Sequence, residues 1–144
     1  MSRRMGRILA FQGLYSWEAG GMSKEDILEL SWADSETGKD VVDLETATFA
    51  RVLIAGAIEN QAVIDGYIKK NLKGWEFDRV NKVSLSILRM SVYSLLFQKD
   101  IPPSIVIDEA VDISREYGQD DSYKFVNAVL DNIGKACAKE NSVK

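Results

Sequence analysis

The fifteen residues from Val83 to Phe97, VSLSILRMSVYSLLF, are apolar on nearly every face and carry one charge, Arg89. A helix that is hydrophobic all round has no solvent face and belongs at the centre of a bundle. The rest of the chain supplies partners for it. Apolar residues recur at helical spacing almost throughout, and no sustained alternating run is bounded by hairpin turns, so the predicted fold class is all-α, with six or seven helices.

Boundary signals divide the chain. A first helix is expected from Arg3 to Ala19, stopped by the Gly20-Gly21 pair, and a short one follows Ser23, running through Ile27, Leu28 and Leu30 and fading around Ser35 to Lys39. The third is expected to be long and unbroken from Val41 to Leu72, with Phe49, Val52, Leu53, Gly56, Val63, Ile64 and Tyr67 as its buried stripe. Gly56 in that stripe would let another helix come close. A short turn through Asp78 to Lys82 leads into the central helix, which Asp100-Ile101-Pro102-Pro103 ends.

Ser104 is expected to cap the next helix, with Ile107, Ala110, Val111, Ser114 and Tyr117 facing inward and Gly118 as its stop. Asp120 or Asp121 would cap the last, whose stripe is Val126, Val129, Leu130, Ile133 and Cys137. With 144 residues, 46% apolar, one folding unit is expected.

Histidine is absent and Cys137 is the only thiol, which removes the commonest general base and metal ligand and any internal disulfide. No phosphate-binding glycine loop, nucleophile elbow or metal-ligand spacing is found, and Asp108, Glu109 and Asp112 form a solvated helix face rather than a metal cluster. The expectation is a protein without enzymatic activity, cofactor or metal. No run reaches membrane-spanning length and no secretory signal is visible, so the cytoplasm is the expected location.

The net charge of −4 is unevenly spread. Residues 1–17 carry Arg3, Arg4 and Arg7, whereas residues 24–49 hold eight acids against Lys24 and Lys39. Three cations at a helix N-terminus oppose its dipole, a cost that a bound anion would offset. Two readings stand, a phosphate clamp or a solvated basic start. On the same helix, Tyr15 is either core or a surface for stacking an unpaired base, with Gln12 able to bond a base edge. At the last helix start, Phe125 beside Lys124 suits either base stacking with a phosphate contact or packing at the edge of the core.

Two blocks, RRMGRILAFQGLYSWE and ILRMSVYSLLFQKDIPPSIVIDEAVDISREYGQDDSYKFVNAVLDNIGK, resemble the two ends of NusB family proteins, and IAGAIENQAVIDGYIKKNL resembles their long middle helix. Only about residues 20–45 are unmatched. The resemblance implies a single domain of about seven helices in two packed subdomains, 1–73 and 74–144. It also implies an RNA-binding antitermination factor that holds the boxA element of nascent ribosomal RNA with NusE, a small-subunit ribosomal protein, and joins elongating RNA polymerase.

Carried across by position, the implied RNA surface is Arg3, Arg4, Arg7, Gln12 and Tyr15 with Lys124 and Phe125. Asp120 and Asp121 would lie beside it and moderate affinity by repulsion. The implied partner-facing region includes Glu76, Arg79, Ser84 and Arg89, where Ser84 and Leu85 replace the family's usual acid and base. Monomer and homodimer both stay open. A related domain begins ribosomal RNA cytosine methyltransferases, an alternative that needs a cofactor domain absent from the sequence up to Lys144. A helical protein-interaction module without an RNA role is the other alternative.

Overall fold

A computed structural model describes residues 2–33 and 42–142. Among them are seven α-helices, one 3-10 turn and no strand: α1 (Arg3–Ala19), α2 (Lys24–Glu29), α3 (Leu44–Glu59), α4 (Gln61–Lys70), the turn Phe77–Arg79, α5 (Lys82–Phe97), α6 (Pro103–Tyr117) and α7 (Ser122–Ser142). The expected fade at Ser35 to Lys39 and the expected start at Val41 lie outside the described residues.

Helix α5 occupies the centre, touching α1, α3, α4, α6 and α7. Its Leu85, Ile87, Leu88, Met90 and Val92 are all buried. Because α1 packs on both α3 and α5, it ties α3 to the central helix, and its own N-terminus lies beside α3, where the Ser2 amide donates to Thr46 Oγ1. Close approach on the α3 side of α5 depends on Gly56, where an added Cβ would run into the Tyr93 ring.

Local chemistry explains the boundaries. Ser2 and Ser23 cap α1 and α2 by accepting the amides of Met5 and Asp26. Past the end of α1, Gly21 takes a left-handed φ of 68° while the Met22 amide bonds the Ser16 carbonyl. Asp43 caps α3 by accepting the Thr46 amide at 2.8 Å.

Three expectations need correction. The long third helix breaks at Asn60, whose side-chain amide donates to the Gly56 carbonyl at 2.9 Å and competes with the backbone pattern. Of the predicted stripe, Leu53, Gly56 and Ile64 are buried and Phe49 and Tyr67 pack on the core, but Val52 and Val63 face outward and Ala50, Ile54 and Ala57 complete the buried face of α3. Helix α6 starts at Pro103 rather than after a Ser104 cap, since proline at the first helical position has φ preset and no amide left unpaired. Its buried residues are Val106, Ala110, Ile113 and Ser114, so the inward face is rotated from the expected one and Tyr117 is left exposed. The stripe predicted for α7 is buried at all five positions.

Candidate nucleic-acid interface

At 100° per residue, Arg7 falls between Arg3 and Arg4 around α1. The structure sends the outer two in different directions. Arg4 reaches α6, with Nε 2.9 Å from Glu109 Oε2 and an Nη2 hydrogen bond of 3.2 Å to Asp112. Arg3 and Arg7 instead lie over the ring of Phe49 on α3, their guanidinium carbons 5.7 and 5.4 Å from its centroid. Phe49 can lie this close because Gly6 is bare: a Cβ there would sit 2.6 Å from its Cδ2.

Arg7 is 4% exposed, and its Nη2 has no hydrogen-bond partner among the described residues. Burial lowers its pKa, Glu109 offsets part of that effect, and Arg3 and Arg4 add to it by repulsion. An arginine stays charged at neutral pH even so. Here a desolvated cation is stacked on an aromatic ring with no ion-pair contact among the described residues, an arrangement in which a phosphate would add favourable charge.

Two clefts lie along the surface. The smaller, about 360 Å³, contains Gln12 and the 41% exposed Tyr15. The larger, about 750 Å³, brings Phe125, Asp120 and Asp121 together with Arg79 and Ser84, residues predicted for two different surfaces. Its aromatic wall is a pair sequence reading missed: Trp75 packs against Phe125 with ring centroids 5.5 Å apart. Lys124 is exposed and 3.6 Å from Asp121 at the helix start. The missed Phe49 had helical spacing and was read as core; the Lys73-Gly74-Trp75 turn was the available signal for Trp75, because an aromatic on a loop has no helix face to fill.

The partner-facing set separates. Glu76 and Arg79 are exposed and pair with each other at 3.5 Å, whereas Ser84 is buried at the cleft wall and Leu85 is core. Arg89 is the correction. It is 4% exposed and closed off by two hydrogen bonds of 2.9 Å to Asp65 and an ion pair of 3.2 Å to Glu18, so its guanidinium faces inward rather than toward a partner. Burial alone would lower its pKa, but the bonds and charges of Asp65 and Glu18 outweigh that and raise it.

A sequence model described as the NusB family matches residues 4–135. The chain is 50% identical over 133 residues to the transcription antitermination protein NusB of Treponema denticola, covering 92% of this chain and 96% of that one. Its relative in Geobacter sulfurreducens, of the same description, is 39% identical, covering 92% and 93% of the two chains. Among solved structures, NusB of T. maritima superposes with a TM-score of 0.80 at 37% identity, covering 94% and 92%. A chain from the crystal structure of antitermination factors NusB and NusE in complex with dsRNA superposes with a TM-score of 0.81 at 30% identity, covering 93% and 96%.

Proposed function

Because the chain belongs to the NusB family, we propose that it is an RNA-binding transcription antitermination factor, non-enzymatic and cytoplasmic, which holds boxA-type single-stranded RNA together with NusE and delivers it to transcribing RNA polymerase. The observation that carries this reading is the incompletely paired cation at the start of α1. Arg7 is buried over Phe49 without an acceptor for Nη2, and the exposed Arg3 covers the same ring. Phosphate engages the exposed Arg3 directly, and the field of Arg7 adds to the attraction. Arg4, already held by Glu109 and Asp112, contributes less.

Bases are taken by aromatic surfaces away from the phosphates. Tyr15 lies about 12 Å along α1 from Arg7, and Phe125 with Trp75 forms a second platform. Gln12 and Lys124 contribute a base-edge contact and a phosphate contact. The exposed pair Glu76 and Arg79 at the turn before α5 is the docking edge for the ribosomal protein partner.

The test is RNA binding with and without NusE for the parent and for Arg3→Ala/Arg7→Ala. Two neutralised phosphates give a log–log salt slope of about −1.4 from this helix start, and the double variant loses that share. A slope unchanged by the double variant would remove the clamp.

A further inference from the structure

The smaller cleft has a composition that the arginine clamp does not explain. Its wall is built from Phe11, Gln12, Tyr15 and Ser16 of α1, Trp32 beyond α2 and Tyr117 of α6, with Val83 of α5 beside them. Among the described residues, no charged side chain lines it. Four aromatic rings, two of them phenols, with one amide and one serine hydroxyl form a surface suited to a flat, neutral, hydrogen-bonding ring system, and unsuited to a phosphate or an ionic side chain. The volume of about 360 Å³ lies within the range of roughly 300–1,000 Å³ typical of small-ligand sites.

The walls are fixed before any ligand arrives. The Trp32 indole N–H donates to the Ile27 carbonyl at 3.0 Å, and the ring edge passes over the bare backbone of Gly13. Tyr117 is held against Phe11 with ring centroids 5.3 Å apart, yet remains 40% exposed. Two exposed tyrosines and a half-buried tryptophan lining one cleft are costly to leave in water and useful as a stacking surface. Tyr15 stands at i+8 from Arg7, about 80° around α1 and about 12 Å along it, so the cleft and the arginine pair open on neighbouring faces of one helix.

We propose that this cleft is a base subsite in which Trp32 and Tyr117 join Tyr15 as RNA-contacting residues, taking one unpaired base by stacking while Gln12 and Ser16 meet its edge. The inference rests on the RNA-binding reading above. It adds a site made by three parts of the chain, one of them the tryptophan just beyond α2.

The experiment uses the whole chain, NusE and a short single-stranded boxA-like RNA, with affinity measured across a salt series. Trp32→Leu weakens binding about tenfold to a hundredfold without changing the salt slope, because it removes stacking and no phosphate contact. Trp32→Phe restores most of the loss by keeping an aromatic face. In a Trp17→Phe/Trp75→Phe background, with RNA added until this variant's own binding curve is saturated because Trp75 belongs to the other platform, Trp32 is the only fluorophore of its kind, and stacking on a base quenches it. That reading needs no destabilising change at Trp32 itself. Parent-like affinity for Trp32→Leu together with unquenched Trp32 emission overturns the subsite while leaving the arginine clamp standing. Absence of RNA binding by the parent, with or without NusE, overturns both.

Discussion

Arg7 and Arg89 are equally hidden, each 4% exposed, and the sequence offers little to tell them apart. Their surroundings differ in kind. Arg89 projects from the central helix into two carboxylates, Asp65 of α4 and Glu18 of α1, with Lys82 also 3.2 Å from Glu18, so the charge is matched inside the protein. Arg7 projects from the first helix onto the Phe49 ring between two other arginines, with only Glu109 among the described residues to attract it. One is a cross-brace between helices and the other an incomplete site. A buried cation therefore reveals its role through its partners, because desolvation is similar in both places and only one is compensated.

The comparison is broken most severely by Arg89→Met. Asp65 would lose its cation and Glu18 would keep only Lys82, and removal of one partner of a buried pair costs about 3–5 kcal/mol. Chemical denaturation measures this; a loss below about 1 kcal/mol would show that the brace holds nothing. Arg7→Met should behave in the opposite way. Its unfolding free energy stays within about 1 kcal/mol of the parent, since the lost ring contact is offset by removing a desolvated charge. Its RNA affinity falls about threefold to tenfold, the scale of a nearby charge that attracts without touching.

Asp121→Asn sharpens the electrostatic side at a smaller scale. The carboxylate is exposed and lies at the start of α7 beside Phe125, so its loss raises RNA affinity about two- to fivefold, with the gain fading as salt rises. Weaker RNA binding by this variant would show that Asp121 contacts the RNA directly.

The mildest effect is on pH dependence. Burial alone would raise the Glu18 pKa, but the Lys82 bond and the Arg89 charge outweigh it and hold the carboxyl below its ordinary value. A carboxyl with a depressed native pKa contributes stability that is complete above its unfolded value of about 4.3 and is lost as pH falls through the native value. Glu18→Gln therefore flattens the acid limb of the stability curve, as seen by denaturation at a series of pH values between about 6 and 3.

Much of the fold was legible because patterning follows burial. The all-apolar run at 83–97 is the central helix, the Gly20-Gly21 stop holds, and all five predicted α7 positions are buried. Where local competitors act, the pattern was insufficient: Asn60 divides the third helix by bonding back to Gly56, and the two prolines start α6 one residue before Ser104. At the candidate site, Tyr15 is exposed as a stacking surface requires, and Phe125 forms an aromatic pair at a cleft. Phe49, Trp32, Trp75 and Tyr117 were not legible as parts of sites, because each gains its place from a neighbour distant in the chain.

The sequence by itself determined a helical bundle around Val83–Phe97, a basic start on an acidic chain, and a set of residues resembling an RNA surface. Periodicity and composition carry such information because they are local. Only the tertiary structure decided that Arg4 is held by α6, that Arg7 lies over Phe49 with an unpaired nitrogen, and that Arg89 faces inward to Asp65 and Glu18. The physical reason is that the role of a charge depends on the distance and dielectric separating it from other charges, and those are set by which helices meet.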